Sequence, residues 1–370
     1  MPLTRNLYRE DEVDAALQFC VLKGRTVEAV FWATEMLDSG MANEFLAAMR
    51  QIWSLGFGIA ALQWYKEFKA LAAAEALDAA EAIRLVVVLC RIGSTGGHDN
   101  SLIVLAGTRL EAEQVAFCMV PRGLTGVDAF FAAAVLQGRA VTAWRAFPSI
   151  SPGVTATLAT FKHGSTDLVE ICEEFPALIV AALCVPRGEL RNQMPSGELP
   201  EVTTAQKEWA LLEGKARRVY SVPPQALWLT ARGRETVYKS NEGELRGSLE
   251  RPGRLWGSVY WDEVADSLGG WEAIRSDDLV REDFYDLHFP DDIPDEWSSA
   301  DRGKSHGNGV LQPGQEPSFG RFLAWFSAYP SVAWNQFDAS AANLKNLDGI
   351  GAPCEPVPLN LGRIRRRVTA

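Results

Sequence analysis

The hydrophobic pattern near the N-terminus predicts a helix, a turn and a second helix. Apolar residues recur there at intervals of three and four, as on one face of an α-helix, and they are Val13, Ala16, Leu17, Cys20 and Val21. Asp11 and Glu12 precede this pattern, where the exposed N–H groups of a helix start favour negative charge. Gly24 follows it, and glycine readily adopts the left-handed conformation that ends a helix. The second helix is predicted to begin near Thr26 and to end at Gly40.

The same pattern occurs a second time. Residues 13–29 read VDAALQFCVLKGRTVEA and residues 127–143 read VDAFFAAAVLQGRAVTA, and the two align without gaps. Both break at a Gly-Arg step, so a helical hairpin used twice is predicted. The recurring arginines, Arg25 and Arg139, have two interpretations: a contact with an acidic partner, or a hydrogen bond to the carbonyl end of the preceding helix. The second is favoured because helix C-termini attract cations.

Helical patterns continue to about residue 190 and then fade. The tetrapeptide Val-Pro-Arg-Gly follows an apolar run at 120–123 and again at 185–188, which predicts two equivalent helix exits. Beyond Val222, proline, glycine and tryptophan become frequent, and residues 226–230 read as a short strand. The predicted fold is mainly α: an N-terminal helical-hairpin repeat, solenoid-like or a stacked bundle, with an irregular, Trp/Pro-rich C-terminal region.

Four segments are predicted from these changes in character. Residues 1–190 form the helical-repeat domain, and residues 191–205, which are polar and contain prolines, form a linker. Residues 206–362 form a Trp/Pro-rich mixed region, and residues 363–370 form a basic tail.

Composition narrows the function classes. With 47% hydrophobic and 22% charged residues the chain is typical of a globular protein. A net charge of −11 argues against a general nucleic-acid binder, which needs a basic face. The six cysteines are scattered without a CxxC pair, which indicates reduced, buried thiols in a cytosolic-type compartment. No apolar run is long enough to cross a membrane, and the polar N-terminus is unlike a signal peptide, so a cytoplasmic protein that is not secreted is expected.

One segment gathers acidic, aromatic and histidine residues and is predicted to bind a partner protein. The predicted partner-binding residues are Phe284, Tyr285, His288, Phe289, Asp291, Asp292, Asp295 and Trp297. The alternative is a metal-dependent hydrolase built around His288, Asp291, Asp292 and His306, because histidine and carboxylates ligate divalent metals. Prolines within the segment hold the chain extended and the EF-hand spacing is missing, so a protein-docking strip is favoured over a metal site.

A second polar segment, residues 93–101 with the sequence GSTGGHDNS, lacks the chemistry of a known catalytic motif. It has neither the lysine and spacing of a phosphate-binding loop nor the spacing of a nucleophile elbow. A flexible connector is therefore predicted. No catalytic residue, metal or cofactor is assigned from the sequence.

The C-terminal tail is basic although the protein is acidic. Its arginines, Arg363, Arg365, Arg366 and Arg367, favour binding to nucleic acid or to an acidic protein surface. The alternative, which is slightly favoured, is a terminus that is simply solvated. If nucleic acid is a partner, this tail is the one place where it is predicted to bind.

Two stretches of the sequence resemble the sequences of one protein family. YREDEVDAALQF with GRTVEAVFWATEML, at residues 8–19 and 24–37, and FYDLHFPDDIPDEWSSADRGKSHG, at residues 284–307, are similar to an uncharacterised protein family of large nucleocytoplasmic DNA viruses, the giant viruses. No enzymatic activity is assigned to that family, so the resemblance implies no catalytic residue. It implies a viral protein located in the cytoplasm of an infected host cell or packaged in a virion.

These observations together predict a non-enzymatic scaffold that binds other proteins. Repeated helices present long surfaces suited to partners. With the viral resemblance, the predicted role is a minor structural or capsid-associated component whose partners are other virion proteins. The alternatives are a nucleic-acid accessory factor that uses the basic tail and a metal-dependent hydrolase that uses residues 286–306.

Overall fold

The structure is a computed structural model that describes residues 3–95, 97–99, 101–102, 105, 114–116, 118–190, 194, 201–204, 220, 222, 226, 229–230, 255 and 257–288. These residues are mainly helical, and none of them belongs to a named β-strand. The prediction of a mainly α fold is therefore confirmed.

Thirteen α-helices have bounds within the described residues. They are α1 Glu10–Leu22, α2 Thr26–Asp38, α3 Ala42–Gly56, α4 Leu62–Ala72, α5 Ala79–Ser94, α6 Gly126–Leu136, α7 Ala140–Ala146, α8 Val154–His163, α9 Asp167–Ile171, α10 Pro176–Cys184, α11 Val259–Ser267, α12 Trp271–Ser276 and α13 Asp278–His288. Short 3-10 turns cover Gly58–Ala61 and Phe147–Ser149.

The chain divides into two compact units. Of the described residues, those within 1–52, 67–96 and 195–288 form unit 1, and those within 53–66 and 97–194 form unit 2. These bounds differ from the predicted segments, because residues 1–190 contribute to both units and the division falls inside α3 and α4. Residues 201–204, in the predicted linker, are helical.

The two copies of the repeated sequence have the same turn. Gly24 and Gly138 lie in the left-handed region, with φ of +64° and +69°. Arg25 and Arg139 follow with nearly equal φ and ψ, −80° and 70° against −83° and 69°. In each copy the arginine N–H donates to the carbonyl five residues earlier at 2.8 Å. The second helices differ in length, however: α2 has 13 residues and α7 has 7. The wider repeat array stays a prediction.

Helix α1 is buried on almost every side, although its first turn is acidic. Arg9 precedes the helix and its guanidinium donates to both carboxylate oxygens of Asp11 at 3.0 and 3.1 Å. The Glu12 carboxylate accepts the Arg9 N–H at 2.8 Å. Pairing and capping of this kind offset the cost of burying charge at a helix start. The remaining faces of α1 pack on α2 and α5 in unit 1.

In unit 2 the central helix is α10, of which all residues after Pro176 are buried. It packs on α6, α7 and α8. Lys162 of α8 is buried, and its ammonium donates to the carbonyls of Val135 at 3.2 Å and Leu183 at 2.7 Å. Those carbonyls lie at the C-terminal ends of α6 and α10, where helix carbonyls lack partners within their own helix. A single lysine thus satisfies two helix ends.

Two predictions about local structure were wrong. The first Val-Pro-Arg-Gly is not a helix exit, because residues 118–120 are not helical, whereas α10 does end just before the second. Residues 226 and 229 lie in 3-10 turns and residue 230 in a bend, so these described positions do not form the predicted strand.

No single helix among the described residues has both the length and the apolar composition needed to cross a bilayer. One sharply bent pair, Ala42–Gly56 with Gly58–Ala72, meets that test only when its two helices are counted together.

Candidate functional site

The N-terminal segment of unit 1 packs against its last three described helices. Leu3 and Leu7 share one hydrophobic cluster with residues of α11, α12 and α13, and the buried members of this cluster are Leu3, Leu7, Leu255, Trp261, Ala265, Ile274 and Phe284. The Leu3 N–H donates to the Ser258 hydroxyl at 2.7 Å. The Trp261 indole N–H donates to the Thr4 carbonyl at 3.0 Å. Helices α11 to α13 are therefore held by a segment more than 250 residues away in sequence, as the separation of Leu3 and Ser258 shows.

A buried carboxylate on α2 holds that N-terminal segment in place. Glu35 has a fully buried side chain, and its two oxygens accept the Asn6 N–H at 3.0 Å and the Asn6 side-chain amide at 2.6 Å. Arg5 adds an ion pair to Glu35 at 3.4 Å and a second, at 2.9 Å, to the half-exposed Asp38. Leu7 is forced to a φ of +63°, which L-residues rarely adopt. The segment is therefore a fixed structural part of unit 1.

Helix α13 has two faces of opposite character. Phe284 is fully buried on the inner face, where its ring lies 6.3 Å from that of Trp261 and 6.0 Å from that of Trp271. The outer face carries five exposed residues at positions i, i+3, i+4, i+7 and i+8, and they are Leu279, Glu282, Asp283, Asp286 and Leu287. The two leucines are 72% and 70% exposed, so both side chains are available to a partner.

The three carboxylates between these leucines are not neutralised by the described part of the chain. Within it, no hydrogen bond or ion pair is found for the side chains of Glu282, Asp283 or Asp286. Arg281 pairs with Asp278 instead, at the start of the helix. The outer face of α13 is thus a negative strip with an apolar residue at each end.

Three of the predicted partner-binding residues lie on α13, and the structure gives them different positions. Phe284 is a core residue, so a partner has no access to it and it is not a surface anchor. Tyr285 and His288 are partly exposed, and the His288 ring lies 5.4 Å from Phe284 and 5.7 Å from Trp261. The other predicted residues lie outside the described part: Phe289, Asp291, Asp292, Asp295, Trp297 and the tail arginines Arg363, Arg365, Arg366 and Arg367.

Sequence analysis missed the outer face of α13. Its signal was present in residues 278–288, DLVREDFYDLH, because Leu279 and Leu287 are eight residues apart with acids at the intervening helical positions. The prediction relied on the aromatic residues, and Phe284 belongs to the opposite, buried face of the helix.

The described residues contain no group of three or more histidine, cysteine, aspartate or glutamate side chains placed to hold a metal ion. Of the predicted hydrolase set, only His288 lies in this part, and Asp291, Asp292 and His306 do not. The metal-dependent alternative therefore stays a prediction.

The loop predicted as a flexible connector contains a partly buried structural carboxylate in unit 2. Asp99 accepts the Ile59 N–H at 3.2 Å and the Ser101 hydroxyl at 2.5 Å, while its own N–H donates to the Gly56 carbonyl at 2.9 Å. Burial raises the pKa of Asp99. The His98 ring lies beside that of Phe57, with ring centroids 4.9 Å apart and the rings tilted by 32°. These contacts join the loop to the turn after α3, and they do not arrange a serine, a histidine and an aspartate as a relay.

The described cysteines are free thiols, and four of the five are buried. Cys20 and Cys90 are fully buried in unit 1, and burial raises the pKa of Cys20 well above its usual value and that of Cys90 to about 12. Cys172 and Cys184 are also buried, and Cys118 is partly exposed. A thiolate is the reactive form of cysteine, so the environments of Cys20 and Cys90 are unsuited to covalent catalysis.

No protein-family model matches this chain, and no curated protein and no solved structure is significantly similar to it. Function is therefore argued from its own residues.

Proposed function

We propose that this protein is a non-enzymatic scaffold that binds other proteins, with the outer face of α13 as part of its binding surface. The observation that carries this proposal is the pair of exposed leucines, Leu279 and Leu287, on a helix whose other face is fixed in a core. Exposed apolar residues on a rigid support are typical of protein-binding surfaces.

The way the buried polar residues are used supports this proposal. Glu35 holds the N-terminal segment, Asp99 holds a loop, and Lys162 satisfies two helix ends. Each of these ionisable groups is committed to backbone or to neighbouring side chains. These three groups therefore stabilise the packing of helices, loop and N-terminal segment that supports the protein surface.

A minor virion or capsid-associated role is the concrete form of this proposal. It rests on the resemblance of residues 8–19, 24–37 and 284–307 to the giant-virus family. Its partners would then be other virion proteins, and its location would be the host cytoplasm or the particle.

The test is a pull-down from infected cells with tagged full-length protein, compared with the variant Leu279→Ser/Leu287→Ser. The expected result is a set of viral proteins that the wild type captures and the variant loses, together with detection of the protein in purified particles. A matched control is Val259→Ser, which alters an exposed apolar residue on α11. Capture that is the same for all three proteins would contradict the proposal.

The nucleic-acid alternative depends on residues outside the described part of the chain. It predicts salt-dependent binding that disappears when the chain is truncated after Leu361.

A further inference from the structure

We propose that the outer face of α13 binds the basic C-terminal segment of a second copy of this chain, residues 359–370, so that the protein assembles with itself. This inference rests on the proposed scaffold function, because it names one partner of the same face. The acidic outer face of α13 is seen in the structure, and the basic segment of residues 359–370 is seen in the sequence. The proposed contact pairs these two features of opposite charge.

The residues on the outer face of α13 set the requirements for its occupant. Along an α-helix the eight steps from Leu279 to Leu287 span about 12 Å, and Glu282, Asp283 and Asp286 lie between the two leucines. An occupant must therefore offer apolar groups to both leucines and positive charge in the middle. Carbonyls at the C-terminal end of α13, near His288, add partial negative charge to the same strip. A neutral or acidic partner would leave these charges uncompensated.

The C-terminal segment of the chain has residues of the kinds that this face requires. The C-terminal segment reads LNLGRIRRRVTA and has four arginines. Its apolar residues Leu361, Ile364 and Val368 are spaced i, i+3 and i+7, with Arg363, Arg365, Arg366 and Arg367 between and beside them. This segment therefore has the apolar–basic–apolar order that complements the apolar–acidic–apolar order of α13. Arginine forms bidentate hydrogen bonds with carboxylates, which adds orientation to the attraction of opposite charges.

Binding of this segment to this face determines how copies of the chain assemble. A face and a segment that differ from each other form a heterologous contact, in which each copy gives its segment to one neighbour and its face to another. Such contacts build rings or open chains of copies. This arrangement suits a structural component, and it gives the basic tail a protein partner in an otherwise acidic molecule.

The probe for the contact is a synthetic, fluorescently labelled peptide of residues 359–370. The receptor is full-length protein with its own tail neutralised by Arg363→Gln, Arg365→Gln, Arg366→Gln and Arg367→Gln, which leaves the face of α13 free for the probe. Two further receptors each add three changes to this tail variant. The α13 variant adds Glu282→Gln, Asp283→Asn and Asp286→Asn. The control adds Glu263→Gln, Asp266→Asn and Glu272→Gln. The control set removes the same charge from exposed positions on α11 and α12.

The expected result is saturable binding, measured by fluorescence anisotropy, that weakens at least about tenfold in the α13 variant and less than about twofold in the control. The same receptor with Leu279→Ser/Leu287→Ser should also bind the peptide at least about tenfold more weakly. Binding should weaken as salt is raised, since the attraction is between exposed charges. No peptide binding, or an equal loss in the α13 variant and the control, would overturn the inference. Equal binding of a scrambled peptide of the same composition would overturn it as well.

Sedimentation of the wild-type full-length chain tests whether the contact joins two copies. The expected result is self-association that grows with protein concentration and falls with salt. It should be lost in the tail variant and also in a chain with an intact tail that carries only Glu282→Gln, Asp283→Asn and Asp286→Asn. A chain that stays monomeric over the whole range would overturn the inference. The proposed function fails separately, because it requires α13-dependent capture of other proteins, which the pull-down measures whether or not copies of this chain associate.

Discussion

Two aspartates at equivalent positions of the repeated sequence lie in different environments. Asp14 is held within α1, where the Gln18 side chain donates to it at 3.2 Å, and burial raises its pKa to about 7. Asp128, its counterpart in α6, instead accepts the N–H of Ser151 at 2.8 Å. The same residue at the same position of the motif therefore has different effects in the two copies. In α1 its negative charge is unfavourably buried, whereas in α6 it accepts a backbone hydrogen bond.

The raised pKa of Asp14 predicts a pH-dependent gain in stability for Asp14→Asn. An aspartate in the unfolded chain has a pKa of about 3.9, so between about pH 4 and pH 7 the native state binds the proton more tightly and stability falls as the pH rises. The neutral amide avoids this loss and keeps an oxygen for Gln18. We expect the free energy of unfolding of the variant to exceed that of the wild type by about 2 kcal/mol at pH 8.

Urea unfolding at pH 4 and pH 8 measures this effect. The difference between the two proteins should be much smaller at pH 4, where the native aspartate is protonated and the unfolded one is about half protonated. A difference that does not change with pH would show that burial of the charge is not its cause.

A glycine in unit 2 is required by a close approach of the Asp99 loop. Gly58 has a φ of +38°, and a Cβ at this position would overlap the Asp99 carboxylate and lie 3.1 Å from a Leu178 methyl. Gly58→Ala should therefore lower the free energy of unfolding by about 3 kcal/mol. Gly164→Ala is the control, because that glycine also has a positive φ, +81°, but no atom within 4 Å of the added Cβ. Gly164→Ala should lower the free energy of unfolding by about 1 kcal/mol. Urea unfolding of the two variants and the wild type measures both effects. Equal losses would contradict the predicted overlap.

At the scale of the elements, the N-terminal segment joins α2 to α11 and α13. Glu35→Gln leaves a buried site without the charge that holds Asn6 and Arg5, so it should lower the free energy of unfolding by about 2 kcal/mol. Asp38→Asn removes the other, half-exposed partner of Arg5 and should cost less than about 0.5 kcal/mol.

Hydrogen exchange locates the effect of this change. In Glu35→Gln the amides of residues 259–288 should exchange faster, because Leu3, Thr4 and Leu7 hold that part of the chain. Unchanged exchange in these helices, together with reduced global stability, would show that the segment does not support them.

At the scale of the whole molecule, buried thiols report on global opening. Of the described cysteines, only Cys118 is partly exposed, and Cys20, Cys90, Cys172 and Cys184 are buried. In a Cys354→Ser variant, which removes the cysteine outside the described part, a thiol reagent at pH 8 should label one thiol quickly. The other four should react at least about a thousandfold more slowly, through transient unfolding.

Mass spectrometry after brief labelling identifies the thiol that reacts. Fast labelling of Cys20 or Cys90 would contradict the buried positions of α1 and α5 in unit 1. Adding denaturant should bring all thiols to the same rate.

Local chemistry made the helices and their turns predictable from sequence. The three- and four-residue spacing of apolar side chains, the acids before α1 and the glycine after it all act within one or two turns of helix. The same holds for the repeated Gly-Arg step, whose backbone geometry is equal in both copies. Only neighbouring residues are needed for these features, so the sequence by itself determined them.

Contacts between distant residues were decided by the tertiary structure alone. Periodicity does not state which segment covers a hydrophobic face, so the packing of Leu3 and Leu7 against α11 to α13 was not predicted. For the same reason Phe284 was taken for a surface anchor, while the true outer face of α13 went unnoticed. Solvent exposure and the environment of an ionisable group depend on what the rest of the chain places beside it. These properties determine the candidate site, and they exist only after the chain has folded.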